Sequence, residues 1–557
     1  MSYPPDIRNQ ARNDESENSL NQGNFLELLK VLASCNEEIN NVGLKNAPND
    51  LRLTSPDIQK DIINAPATET TKAIIIDLGD DLFSILVDEC RDVSIKEQMG
   101  VVIRYVNGSG CVIEKFISLV HVHNTSAASL KKGIESLLST YGLSISSLRG
   151  QGYDEASNMR DEFNGLKSLI LKDNSSAYYI HYFAHQLQLT LVAVAKMHSS
   201  IGSFFNTITC LVNVLGGSCK RRDMLREKQL EKVFEGIAKG EIKIGQGLNQ
   251  EMYIGENGSD DPQRAEAIDL LDIMNRFEFI FVLHLMKKIL GITHELSQVL
   301  QRRDQDIVNA MNLIKVSKCR LQVMRANGWE ALLLEVLEFC GKYDIAILDM
   351  EDVYVARGRS RRRSEEMTNL HQYCVELFYS VIDMQFQELN KQFDEVNTNL
   401  LLCMGCLDLK DSFFAFDMSK LIQLAKFYPC EFSPVTLIEL ESQLENFVFD
   451  MHIDKKFSEA SRIGGLAEKM VATKKHIIFP LVYLLIKLSL ILPVAIATVE
   501  RAFSAMNIIK SLLRNRMGDE LLNDCLVTYI ERDVFANIDN KVIMNRFQSM
   551  KNTRELL

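Results

Sequence analysis

Three carboxylates stand at the ends of well-separated apolar segments: Asp88 in Phe83-Ser-Ile-Leu-Val-Asp-Glu-Cys90, Asp154 in Gly150-Gln-Gly-Tyr-Asp154, and Glu500 in Ala497-Thr-Val-Glu-Arg-Ala-Phe-Ser504. Hard divalent cations prefer clustered carboxylate oxygens, and a pair of such ions can activate a water and steady the oxygen leaving a phosphodiester. Brought together, the three acids would hold Mg or Mn for chemistry on DNA. Taken singly, an aspartate at a strand end more often caps a turn or a helix, so the assignment depends on the elements that carry the acids.

Those elements are legible from periodicity. An apolar-periodic stretch from Asn24 to Ile39 and a Ser55-Pro56 start signal predict two lead-in helices, the second over Ser55 to Ile63. From Phe83 the pattern becomes β: strands at 83–87, 100–106 and 111–122, the last two joined by an Asn107-Gly108 turn signal. A helix over 126–140, a strand ending at Asp154, a helix over 158–171, a strand over 178–183 and a helix from Ala184 complete the order βββαβαβα. That order matches an RNase H-like sheet, in which the first and fourth strands are neighbours and Asp88 and Asp154 would emerge side by side.

At 557 residues and 46% hydrophobic, the chain has material for several cores. A formal net charge of −12 argues against coating nucleic acid through an overall field, so contact with DNA would need local basic patches. Twelve irregularly spaced cysteines read as reduced thiols of the cytosol or nucleus rather than a secreted disulfide framework. The close pair Cys403 and Cys406 reads as a buried helical pair, and no structural zinc is expected. The most apolar stretch, 477–497, is interrupted by Pro480, Lys487 and Pro493, so no membrane span is expected and the protein should be soluble.

The boundaries follow: a disordered arm over 1–24, a helical lead-in over 25–75, a first α/β part over 76–200, an all-helical insertion over 201–455, a C-terminal return over 456–540 and a tail over 541–557. Within the insertion, Arg357, Arg359, Arg361, Arg362 and Arg363 form a basic run flanked by Glu351-Asp352 and Glu365-Glu366. Clustered guanidinium groups suit DNA phosphate or a nuclear-import signal. A solvated loop is the alternative, because the flanking acids dilute the field and no aromatic is interleaved for base stacking.

Four segments together resemble the hAT superfamily of DNA transposases, and in particular the TTF-type and zinc finger MYM-type proteins related to them. They are Phe83–Cys90, Gly150-Gln-Gly-Tyr-Asp-Glu-Ala-Ser-Asn-Met159, Ala184-His-Gln-Leu-Gln-Leu189 and Leu492-Pro-Val-Ala-Ile-Ala-Thr-Val-Glu-Arg-Ala-Phe-Ser504. The resemblance implies an RNase H-like (DDE) core interrupted by a large helical insertion, with a helical C-terminal dimerisation region. It implies that Asp88, Asp154 and Glu500 are the metal-binding acids, with His185 near them. It also implies that Phe503, Met506, Ile509, Leu512 and Leu513 serve a homodimer, with DNA as a further partner and the nucleus as the location.

Departures from the family pattern shape the functional expectation. No cysteine precedes Cys35, so the family's zinc finger is expected to be lacking. The sole tryptophan, Trp329, stands far from the position after the second aspartate where the family carries one. Tyr182 replaces a cysteine before His185, Glu155 follows Asp154 where a small residue is usual, and 250–262 looks like the scar of a deletion. The leading expectation is a transposase-derived nuclear dimer that has lost transposition. An active metal-dependent transposase or nuclease and a helical protein-interaction scaffold are the alternatives.

Overall fold

The computed structural model describes residues 23–43, 46–47, 54–153, 165–217, 219, 221–228, 261–302, 306–355, 367–392, 398–407, 417–453, 457, 462–494 and 497–550. The chain divides into two units. The first draws on Met1–Tyr179, Ala467–Lys475 and Leu490–Leu557, and the second on Ile180–Leu466 and His476–Ser489.

The first unit begins with helices α1 (Asn24–Cys35), α2 (Glu37–Val42) and α3 (Pro56–Leu78). The Ser55 hydroxyl accepts from Ile58 N, and Pro56 sits in the first turn, where its missing N–H costs nothing. Helix α3 runs well past the predicted end near Ile63. The poor helix formers of its second half are held by tertiary contacts, among them Tyr105 Oη donating to Asp77 Oδ2 at 2.7 Å. Strands β1 (Phe83–Arg91), β2 (Glu97–Val106) and β3 (Val112–His121), helix α4 (Ala127–Thr140), strand β4 (Leu148–Tyr153), helix α5 (Leu166–Asp173) and strand β5 (Tyr178–His181) follow in the order expected from the sequence.

The sheet is mixed, with strand order β3-β2-β1-β4-β5. Strands β1–β2 and β2–β3 pair antiparallel, and β1–β4 pair parallel. The β2–β3 turn is built by Asn107, whose Oδ1 accepts from Ser109 N and Cys111 N. Gly110 adopts φ +82° there, and a Cβ on it would stand 2.7 Å from Ala467 O, so the position requires glycine for both conformation and space.

Both faces of β2 are buried, which explains its near-continuous apolar run. On one face, α4 lies over Met99 and Val120, close enough that a Cβ on Gly133 would meet Met99 Cε at 3.1 Å. On the other face lies helix α6 (Ala497–Ile509), which packs against β1, β2 and β3. Helix α7 (Asp519–Ile530) runs along the edge strand β3, and α8 (Asn540–Ser549) packs on α3.

Among the described residues the second unit is mainly helical, apart from the end of β5 at Ile180-His181 and the bridge between Val353 and Thr368. Its core gathers around the helix Phe277–Leu300, with Phe277, Phe281, Leu285 and Ile289 buried among Leu332, Val336, Tyr373 and Phe378. Trp329 belongs to this core: its ring stands 5.9 Å from Phe281 and 5.8 Å from Phe378. Residues His371–Tyr379 form a π-helix that continues into the α-helix Ser380–Gln392. Cys403 and Cys406 are both buried, and burial pushes both thiols up.

Candidate functional site

Asp88 lies on β1, half-buried, beyond a fully buried run from Phe83 to Val87. Its Oδ1 accepts from Glu89 N at 2.9 Å. Alternation along the strand places Ser84, Leu86, Asp88 and Cys90 on one face. Burial pushes the Cys90 thiol up, and the neighbouring Asp88 carboxylate pushes it further.

Directly opposite residues of an antiparallel pair project to the same face, and Asp88 pairs with Gly100. A Cβ on Gly100 would stand 3.1 Å from Val499 Cγ1 and 3.3 Å from Phe503 Cε1. Asp88 is therefore on the face that α6 covers, beside a position where the missing side chain lets the helix sit close. Glu500 follows Val499, in the first turn of that helix, and is exposed. Two acids separated by several hundred residues in sequence are thus carried by adjoining elements.

On the other side of β1, the parallel register pairs Ser84 with Gly150 and Leu86 with Gly152. Gly150 is also tight, since a Cβ there would meet Ser84 Oγ and Pro493 Cδ. The described part of β4 ends at Tyr153, and Asp154 and Glu155 lie outside the described residues, as does most of 250–262. Among the described residues, no group of three or more His, Cys, Asp and Glu is gathered as a metal site. Asp88 and Glu500 carry oxygen donors of the kind Mg or Mn takes, but Gly100 beside Asp88 is closely covered by Val499 and Phe503, and Glu500 is exposed on the helix that covers it.

His185 lies in the second unit, half-buried on the helix Phe183–Met197, with its ring 5.5 Å from that of His181. Tyr182, just before that helix, is fully buried. The arginines at 357, 359, 361, 362 and 363 lie outside the described residues, but the chain on either side of them is paired. Val353 bridges Thr368, and Tyr354 N donates to Met367 O at 2.7 Å.

Phe503, Met506 and Ile509 are buried on the sheet side of α6. Leu512 is exposed at 69%, and the Leu513 side chain lies outside those described. Helical periodicity could not separate an internal face from an external one, and these three residues belong to the internal face.

Sequence reasoning missed how firmly the C-terminal segment is anchored. Arg104 and Glu114 form a buried ion pair at 2.6 Å, while Arg104 Nε donates to Leu490 O and Thr498 Oγ1 donates to Glu114 Oε2. At the other end of α6, Lys510 Nζ meets Asp92 Oδ2 at 2.7 Å, with side-chain exposures of 1% and 0%. Asp92 also accepts from Gln98 Nε2, Ser94 N and Lys96 N. Burial pushes the Asp92 carboxyl up, but the Lys510 ammonium and these donors hold it below the usual range.

A third anchor caps the sheet edge. Outward N–H groups of β3 donate to side chains: Leu119 N to Asn523 Oδ1 at 2.8 Å, and Phe116 N to Glu531 Oε1 at 2.7 Å. These bonds satisfy part of an edge that would otherwise be open to another strand. The signal lay in the strands themselves, where Arg104 and Glu114 interrupt otherwise apolar stretches. A charge at such a position needs a buried partner.

The ZMYM1/FAM200, RNase-like domain family (DUF4371) matches residues 8–165. The hAT family C-terminal dimerisation region matches residues 439–534. The human protein named 52 kDa repressor of the inhibitor of the protein kinase is 21% identical over 500 residues, covering 82% of this chain and 62% of the relative. Its mouse counterpart is 21% identical over 498 residues, covering 82% and 63%. The chain thus spans about three-fifths of the length of these curated relatives. The chain is similar, in two separate stretches, to a ZMYM1/FAM200 RNase-like region and to a hAT C-terminal dimerisation region, and parts of both contribute to the first unit.

Proposed function

We propose that this is a nuclear, self-associating protein of transposase descent, with an RNase H-like first unit and an acidic metal site that no longer serves transposition. One observation carries the reading: α6, which bears Glu500, packs over Gly100, the residue paired with Asp88. A strand with an antiparallel neighbour on one side and a parallel neighbour on the other supports the RNase H-like assignment. Asp88 and Glu500, with Asp154 by family resemblance, would bind Mg or Mn. Such ions, when bound, activate a water and stabilise charge on phosphoryl oxygens.

Loss of transposition is supported by Trp329. Its ring is engaged with Phe281 and Phe378 in the helical core, so it does not supply a base-stacking surface worth about 1–3 kcal/mol. The relatives' name, a repressor, supports a regulatory role. Among the described residues, no single helix is long and apolar enough to cross a membrane.

The test is calorimetric titration of Mn into the full chain and into Glu500→Gln, together with nicking of supercoiled DNA in Mg or Mn. Binding that weakens in the variant, without nicking, is expected. Metal-dependent nicking abolished by Asp88→Asn would instead establish an active nuclease. No binding in either chain would make the acids a relic.

A further inference from the structure

Two histidines at the end of the edge strand β3 take no part in the acidic site or in the anchors of the C-terminal segment. His121 is the last residue of β3, and His123 follows two positions on. The chain between them stays extended, because Val122 N still donates to Glu97 O at 3.1 Å. Residues two apart in an extended chain project to the same side. Val122 is buried, so both rings turn the other way, His121 half-buried and His123 exposed. Their centroids stand 4.8 Å apart, with the ring planes at 80°.

His121 Nδ1 lies 3.0 Å from Glu97 O. A carbonyl oxygen only accepts, so Nδ1 carries the proton and donates, and in the neutral ring Nε2 keeps a lone pair. Metal-binding imidazoles are held in this way, with the far N–H on a carbonyl that fixes tautomer and orientation. An ion about 2.1 Å from an imidazole nitrogen lies about 3.2 Å from the ring centre, so two rings sharing one ion have centres at most about 6.4 Å apart. The observed separation meets that limit. Asp519, within electrostatic reach of His121, takes the Lys96 ammonium at 2.8 Å, so this lysine brings no uncompensated positive charge.

We propose that His121 and His123 form a chelating pair for a borderline divalent transition cation such as Zn, Ni or Cu(II). Imidazole nitrogens suit these ions, whereas Mg and Mn take oxygen, so the occupant differs from the one proposed for Asp88 and Glu500. Among the described residues no group of three or more His, Cys, Asp and Glu is gathered as a metal site. Water therefore completes the coordination, and the ion exchanges, unlike a structural zinc closed by four protein ligands.

The test is calorimetric titration of Ni into the full chain, its thiols first alkylated under native conditions because exposed cysteines compete for such ions. The variants are His121→Gln, His123→Gln and His185→Gln, the last a control from the histidine pair of the second unit. A Ni site present in the wild type should be lost in each of the first two and kept in the third. Electron paramagnetic resonance of bound Cu(II) should show coupling to two imidazole nitrogens in the wild type and to no more than one in His123→Gln. His123 is exposed, so its replacement should leave the circular dichroism unchanged, which keeps the test sound where His121→Gln disturbs the bond to Glu97. A wild type that takes up no Ni, a site that survives either replacement, or a site lost in His185→Gln would overturn the chelating pair.

Discussion

Replacing Lys510 by methionine removes the cation from a pair with almost no solvent exposure and leaves the Asp92 carboxylate buried. Removing one partner of a buried ion pair costs about 3–5 kcal/mol. Asp92 keeps Gln98 Nε2, Ser94 N and Lys96 N as donors, so the lower end, about 3 kcal/mol, is expected. For a unit of this size that corresponds to a fall of about 6–12 °C in the melting temperature.

The pH dependence follows from the direction of the Asp92 shift. In the wild type the folded carboxyl is held below its usual range, so the stability it contributes is present above that range and is lost as pH falls through the folded value. In Lys510→Met burial acts without the cation and raises the folded value. The carboxylate then opposes folding at neutral pH, and the penalty shrinks as pH falls and the group protonates. The gap between wild type and variant should therefore narrow on acidification, and Asp92→Asn with Lys510→Met should recover part of the loss. Far-UV circular dichroism during thermal unfolding measures the shift. Fluorescence of Trp329 reports on the second unit and serves as a separate probe. A cost below about 1 kcal/mol, or a gap that widens in acid, would refute the claim that this pair is dry and anchors the end of α6.

Gly100→Val should cost about 1–3 kcal/mol by pushing α6 away from the sheet, read by thermal unfolding, and should weaken Mn binding if Glu500 works with Asp88, read by calorimetric titration of the variant. Asn523→Ala leaves Leu119 N and Ser118 Oγ without their shared acceptor, with an expected loss of about 1–3 kcal/mol and increased aggregation by light scattering. Changing Arg357, Arg359, Arg361, Arg362 and Arg363 to serine should leave melting unchanged. If these arginines neutralise DNA phosphates, the dependence of log affinity on log salt should become shallower by about 0.9 for each phosphate that the variant leaves to its counterions; an unchanged slope would assign the arginines to solvent.

The sequence exposed the order of elements well because β1 to β5 are short apolar runs separated by helical periods and a clear Asn107-Gly108 turn. The two glycine-lined approaches at Gly100 and Gly150 were less visible, since the need for a missing side chain arises from Val499, Phe503 and Pro493, hundreds of residues away. The same distance hid the partners of Asp92, Arg104 and Glu114. Phe503, Met506 and Ile509 show the limit from the other side: an apolar stripe on a helix looks alike whether it meets its own sheet or a second protein.

The return of the C-terminal segment to the sheet also sets an order of events during synthesis. Leu119 and Phe116 cannot find Asn523 and Glu531, nor Asp92 its Lys510, until about 400 more residues have been made. At cellular elongation rates of about 5–20 residues per second, β3 waits roughly 20–80 s with its edge open and one face of the sheet bare. During that interval the nascent first unit depends on chaperones or on its own provisional collapse. A message interrupted between His181 and Lys510 would yield a chain whose early strands are intact in sequence and lack the segment that covers them.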